Sequence, residues 1–328
     1  MRRCICLFFV IFTICVSCSS SDDIVVRAAI DIGSGRTNVM VVEYNTSDNS
    51  IEEVLYKGSV RMPYQYLLSQ NDEGVFDEKT RERGREAFQR MVTSFQEYNP
   101  EKTIAVATAA FRDAENGEDF AAELQREFGI PIYVVDQETE GKIAFYGTAA
   151  KLELDGDEEG DLVAWDIGEE SFHLTISSEE GKPRVFRGDS GSRLFRNRYY
   201  GMLHQGKTEG EIPSLSVSEV YKGIEIAKAV VVDIDARIRE KIEKEMDIRV
   251  AAIGNIFNID LYNFLGKKRT FTIEDLQEKV EASIGKSFDD FDDPLFAREA
   301  MSNALLVLGV MEELAIKEVE MVLVDDVY

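Results

Sequence analysis

The chain has 328 residues, with 62 acidic against 37 basic side chains and a formal net charge of −25. That length is enough for two domains of ordinary size, each with its own core. So acidic a surface repels polyanions and excludes nucleic acid and anionic membranes as principal partners.

At the N-terminus Arg2 and Arg3 precede an apolar run from Cys4 to Val16. The run is too short to span a bilayer and suits the core of a signal peptide. Cys18 follows Val16-Ser17 and opens the polar stretch Ser19-Ser20-Ser21-Asp22-Asp23. This is similar to a bacterial lipoprotein signal, in which the cysteine after a small residue is lipidated and becomes the mature N-terminus. Cys15 stands where that signal usually has an aliphatic residue; an ordinary signal peptide or a short anchor is the alternative. The expectation is removal of residues 1–17, a polar tether at 18–23, and attachment to the cell envelope through Cys18. Losing Arg2 and Arg3 brings the mature chain to −27. Cys4, Cys6, Cys15 and Cys18 are all the cysteines, so the body has no internal disulfide and no thiolate chemistry.

Residues 25–31, 37–44 and 51–61 read as strands rich in Val, Ile and Tyr. Asp77 caps a helix to about Tyr98, with Ala87, Phe88, Met91, Val92 and Phe95 on one face. A strand at 103–106, a helix from Gly117 ended by Gly129, a strand at 131–135 and a helix over 138–152 follow. Such alternation describes an α/β domain, residues 24–150. The acidic stretch Glu153–Asp161 reads as the link to a second α/β domain, 151–328. Strands recur there at 162–166, 171–177 and 183–188. Ser216-Val217-Ser218-Glu219 has capping-box spacing and opens a helix predicted to reach Met246. A strand at 249–253 ends at Gly254, Thr272 opens a further helix, and a helix over 293–315 and a strand over 319–324 complete the chain.

One short pattern occurs twice. Ala29-Ile30-Asp31-Ile32-Gly33-Ser34-Gly35-Arg36 and Val163-Ala164-Trp165-Asp166-Ile167-Gly168-Glu169-Glu170-Ser171 each read as strand, tight turn and second strand. Two such turns suggest two phosphate-gripping loops facing each other across a cleft. Between Lys182 and Arg198 lies the chain's one strongly basic stretch, with Arg184, Arg187, Arg193 and Arg196 against Asp189. It reads either as a guide for a polyanion or as a solvated face.

The order of motifs resembles the exopolyphosphatase and guanosine-pentaphosphate phosphohydrolase (Ppx/GppA) family of the actin, sugar-kinase and Hsp70 superfamily. Four colinear segments carry it: the loop at Asp31, Val106–Gly117, Val134–Lys142 and the loop at Asp166. The resemblance implies two ribonuclease-H-like, actin-like α/β domains with a cleft between them. It implies hydrolysis of phosphoanhydride bonds, in inorganic polyphosphate or a smaller phosphorylated ligand, aided by Mg2+ or another divalent cation. By resemblance Glu140 is the general base and Arg112 the phosphate clamp, Asp31 and Asp166 face the metal, and Gly33, Ser34, Gly35, Arg36, Gly168 and Ser171 line the phosphate path. A homodimer stays open.

The departures gather at the centre. Glu169 and Glu170 replace two glycines of the family's second loop. Like charges about 4 Å apart there cost about 4 kcal/mol at an effective dielectric of about 20. By resemblance His173 stands at an acidic, metal-ligand position, where imidazole suits zinc or other transition metals better than magnesium; its plainer reading is a histidine on the exposed face of a strand. Arg36 replaces a small hydroxyl residue and is a candidate partner for Glu169 or Glu170; Gly254-Asn255 replaces a Gly-Gly-Thr turn. Two readings follow: an exported phosphatase, or a catalytically degraded member acting as an envelope-anchored binding or scaffolding protein. A kinase of the same superfamily is opposed by the altered Gly254 turn.

Overall fold

The structure, a computed structural model, describes residues 23–48, 50–154, 156–178, 181–188, 190–203, 214–244, 248–290 and 294–322. The expected signal segment, Cys18 and Asp189 lie outside them.

Two sheets share one wiring. In the first, β1 (Ile24–Ile32), β2 (Arg36–Asn45) and β3 (Ser50–Arg61) form an antiparallel meander, and β4 (Lys102–Ala107) and β5 (Ile132–Val134) add parallel to β1, giving the order β3-β2-β1-β4-β5. In the second, β6 (Leu162–Ile167), β7 (Phe172–Ser177) and β8 (Pro183–Gly188) repeat the meander. β9 (Arg249–Ile253) and β11 (Glu318–Met321) add in parallel, with β10 (Thr270–Thr272) at the edge, so the order is β10-β11-β9-β6-β7-β8. Both Asp-Ile-Gly turns therefore leave a central strand at its C-terminal end, where open α/β sheets present ligand sites.

Helices supply the other layers: α1 (Tyr64–Ser69), α2 (Glu78–Phe95), α3 (Ala109–Asp113), α4 (Gly117–Phe128) and α5 (Gln137–Lys151) in the first half. The second half adds α6 (Gly156–Glu159), α7 (Ser192–Leu203), α8 (Val217–Lys228), α9 (Ala236–Lys244), α10 (Tyr262–Phe264), α11 (Ile273–Ser283) and α12 (Pro294–Glu313). Asp77 caps α2 by accepting from the Thr80 amide at 2.7 Å, and Gly129 ends α4 in a left-handed conformation. Ser216 and Thr272 both form full capping boxes. The helix predicted from Ser216 to Met246 instead breaks after Lys228. The β-branched run Val230-Val231-Val232 buries two of its members in a short 3-10 turn before α9 restarts.

Alternation along β1 decides where the chemistry points. Ala28, Ile30 and Ile32 are buried on one face, which leaves Asp31 on the other. β6 is buried on both faces apart from Asp166, which is half-open. The second core surrounds α12, whose residues from Ala300 to Met311 are buried without interruption. The first joins Tyr64, Phe76, Phe111 and Phe120 in mutual ring contact beneath the α3–α4 junction.

That junction tolerates no side chain at Gly117, because a Cβ there would lie 1.9 Å from the Phe111 carbonyl oxygen. Gly→Ala inside a helix is ordinarily worth about 0.5–1 kcal/mol. Gly117→Ala is expected to destabilise instead, by about 2 kcal/mol, lowering the thermal midpoint by roughly 4 °C or more as α3 is displaced. Thermal and urea unfolding of the two proteins check it, and an unchanged midpoint would count against this packing of α3.

Candidate active site

The two turns have the same construction. Gly33 N donates to Arg36 O at 2.9 Å, and Gly168 N donates to Ser171 O at 2.9 Å. Register then sets a partner opposite each aspartate: Asn38 faces Asp31, and His173 faces Asp166. Asn38 Nδ2 donates to Asp31 Oδ2 at 3.5 Å, and Asn38 Oδ1 accepts from Ser59 Oγ at 2.8 Å. His173 Nδ1 lies 3.8 Å from Asp166 Oδ2.

Glu140 occupies the first turn of α5, a helix opened by Asp136, whose side chain accepts from the Thr139 amide at 2.7 Å. Arg112 reaches it from α3: Nη1 donates to Glu140 Oε2 at 2.7 Å and to Val135 O at 2.8 Å. Ser171 Oγ of the second loop donates to Glu140 Oε1 at 3.3 Å. Residue 141 is glycine because a Cβ there would lie 2.5 Å from Val185 Cγ1, so α5 presses directly on β8. Arg112, Glu140 and Ser171 are thus one hydrogen-bonded group spanning both halves. Arg112 Nη2 is buried without a hydrogen-bond partner among the described residues.

One ligand atom each from Glu140, Asp166 and His173 lie within 4.8 Å of one another. His173 is 0% exposed, and neither ring nitrogen has a hydrogen-bond partner among the described residues. The expectation of an exposed histidine is therefore wrong. β7 is covered on both faces, so strand alternation no longer separates inside from outside. The sequence signal that marks His173 is its register position opposite Asp166. Two carboxylates and a buried imidazole with unsatisfied nitrogens fit a divalent cation.

Asp31 faces the same cleft but stands outside that trio. Its carboxyl is pushed up to about 7, first by desolvation, then by the nearby charge of Glu140 and, after the opposing Asn38 hydrogen bond, Asp166. Solvent reaches the residue, which moderates the rise. Arg36 is exposed and donates to Ser59 Oγ at 3.4 Å; neither Glu169 nor Glu170 is its partner.

The two inserted glutamates differ. Glu170 is buried and ion-paired with Arg193. Glu169 lies against the first loop, where a Cβ on Gly35 would come 2.6 Å from its Oε1. Its carboxyl is raised by partial burial and then by Glu170, opposed by Arg193 and Arg196. The second loop also caps α7: Ser192 N and Arg193 N donate to Gly168 O at 2.9 Å and Glu169 O at 3.0 Å. Those two helix amides are consumed by the protein itself.

The basic stretch is largely neutralised from within. Arg184 pairs with Asp235 at 3.3 Å, Arg193 with Glu170, and Arg196 with Glu299 at 2.8 Å. A recess of about 510 Å³ lies between α1 and α2, lined by Leu67, Gln70, Asp77 and Arg83 among others. It contains none of the residues above, and the charged cluster is the better candidate site.

The fold and the cleft define an actin-like, ribonuclease-H-like protein. The structure is similar to the Ppx/GppA enzyme of Aquifex aeolicus, with a TM-score of 0.70 and 16% identity over 91% of this chain and 95% of that one. It is similar to an exopolyphosphatase from Cytophaga hutchinsonii, with a TM-score of 0.67 and 14% identity over 90% and 93% of the two chains. A nucleoside triphosphate hydrolase of Neospora caninum shares the fold at a TM-score of 0.59 and 11% identity over 91% and 88%. In sequence, the Ppx/GppA phosphatase family model matches residues 57–185. The matched stretch carries Arg112, Glu140, Asp166 and Ser171.

Behind the second loop the charges run on to Asp260, whose Oδ2 accepts from Asn303 Nδ2 at 2.7 Å. Burial, then Glu299, push its carboxyl up to about 7 against the opposing pull of Asn303 and Arg196. The folded chain holds this proton where the unfolded chain has released it. Stability is therefore lost as pH rises from about 4 to about 7. Asp260→Asn keeps an oxygen for Asn303 and removes the titration. The expected result is a thermal midpoint raised by about 2–4 °C at pH 8 and little changed at pH 4.5. Equal shifts at both values would show that the carboxyl is not held neutral.

Proposed function

We propose that the chain hydrolyses phosphoanhydride bonds, with inorganic polyphosphate or a related phosphate compound as substrate. The observation that carries this is the Arg112–Glu140 pair at 2.7 Å, set beside Ser171 and the Asp166 turn. Glu140 is the carboxylate placed to take a proton from the attacking water, with Arg112 and Ser171 orienting its two oxygens. Water's oxygen bonds to the terminal phosphorus, the bridging P–O bond breaks, and its electron pair leaves with the shortened chain. Arg112 Nη2 is the donor available to a phosphoryl oxygen. Glu140, Asp166 and His173 would hold a divalent cation, which supplies charge neutralisation to the phosphates. The small residues Gly33, Ser34 and Gly35 leave the first loop's backbone open to phosphate.

Glu169 favours a second reading, a catalytically degraded binding or scaffolding protein. Its carboxylate lies against Gly35, on the path that the first reading assigns to phosphate. With either reading the proposal includes export and a lipid anchor at Cys18. Intact-mass measurement of the membrane-extracted protein tests that part. No helix among the described residues is long and apolar enough to cross a membrane.

The two readings separate in one assay, phosphate release from polyphosphate by the mature protein with Mg2+, Mn2+, Co2+ or Zn2+. Under the hydrolase reading the wild type turns over, Glu140→Gln loses about 10²–10⁴-fold with circular dichroism unchanged, and Glu169→Gly lowers KM. Glu170 is left in place because its removal strands the Arg193 charge. Absence of turnover in the wild type with any of these metals, together with activity created by Glu169→Gly, establishes the binding or scaffolding protein.

A further inference from the structure

We propose that the Glu140–Asp166–His173 cluster is a site for a late first-row transition ion such as Zn2+ or Co2+, and that it prefers such an ion to Mg2+. The inference concerns the same cleft as the proposed hydrolysis and names its ion class. It stands on the donor set and is read without turnover, so either idea can fail alone.

Three observations support it. The three ligand atoms lie within 4.8 Å of one another. Ligands on a single ion at about 2.1 Å sit roughly 3–4 Å apart, so small side-chain shifts close the cluster. His173 is completely buried with both nitrogens unsatisfied. A buried polar atom without a partner is destabilising, and an ion bound to the imidazole offsets that. Finally, β6–β7 register fixes His173 opposite Asp166, so the imidazole is positioned by the sheet and not by a mobile loop.

The class of ion follows from the donors. Mg2+ takes oxygen ligands and keeps several waters, and an enclosed imidazole offers it neither. Imidazole with carboxylate suits zinc, cobalt, nickel and ferrous iron. The other charged groups at the site agree. Arg112 already pairs with Glu140 at 2.7 Å, so Asp166 and the imidazole are the less committed donors of the trio. Asp31 adds a third carboxylate on the open side.

The test uses the full mature chain, freed of metal by chelation. Co2+ is added first, and its visible d–d bands, which differ between an all-oxygen and an imidazole-containing shell, report the ligands; calorimetry then compares Co2+, Zn2+ and Mg2+. The expected result is one Co2+ per chain and affinity for Zn2+ or Co2+ at least about 100-fold above that for Mg2+. His173→Ala loses about 10–100-fold in Co2+ affinity together with the imidazole spectrum. The chain has two histidines, His173 and His204, so this variant decides which one ligates. Should His173→Ala unfold, Asp166→Asn gives the same loss from a residue that keeps its shape. His173→Glu supplies an oxygen instead and narrows the preference over Mg2+ by about tenfold or more. The proposal is overturned if wild-type protein binds Mg2+ as tightly as Co2+, or if Co2+ binding with an imidazole spectrum survives His173→Ala.

Discussion

The hydrogen bond from Arg112 to Glu140 is the contact on which the cleft depends. Arg112 belongs to α3, which follows the central parallel strand of the first sheet. Glu140 belongs to α5, which packs on the second sheet through the bare surface of Gly141. The bond therefore fixes the first half against the helix that carries the base, and Ser171 ties the same carboxylate to the second loop. Both pair members are only about one-sixth exposed, so the attraction is screened little by solvent. Losing either partner leaves a charge in a poorly solvated place, which costs far more than an exposed pair.

How much of this the sequence discloses depends on whether a residue's role is local. Caps are local, and Asp77, Asp136, Ser216 and Thr272 act within four residues of themselves. The strand boundaries and both Asp-Ile-Gly turns are equally legible, because the turn needs only a glycine amide and a carbonyl three residues on. The break after Lys228 is less so, since a β-branched run lowers helix propensity without forbidding a helix. His173 is the instructive case. Alternation along a strand sorts faces only when one face meets water, and β7 has water on neither. The partner of Glu170 could not be read either, because Arg193 comes from a helix 23 residues on and reaches back through α7.

The duplication has a further structural consequence. In both halves the residue opposite the loop aspartate contacts it: Asn38 in the first, His173 in the second. The first pair is completed by Ser59 from the neighbouring strand, so the amide's oxygen is occupied. In the second pair the neighbour across β8 is Arg187, and His173 gains no hydrogen bond from it. One copy of the motif is thus a closed polar network, and the other leaves donor and acceptor capacity buried and unused. A polar group in that state is destabilising unless something else satisfies it. The asymmetry places the demand for a ligand in the second half, at the loop that also presents Asp166.

Charge within the cleft points the same way. Relative to the family pattern that the sequence resembles, His173 replaces an acid and Glu169 replaces a glycine. Negative charge is removed from the innermost position and added at the rim, against Gly35. The rim carboxylate sits where Glu170 raises its pKa and where Arg193, the nearest opposing charge, is already committed to Glu170. A phosphate approaching the first loop must then either displace Glu169 or meet it protonated. Protonation follows from the same desolvation that an incoming ligand increases, because closing the cleft disfavours the charged carboxylate further. Binding of an anion and uptake of a proton at Glu169 are consequently linked, and affinity for phosphate should strengthen as pH falls toward the raised pKa. Under the phosphatase reading, a rim carboxylate of this kind makes anion binding pH-dependent.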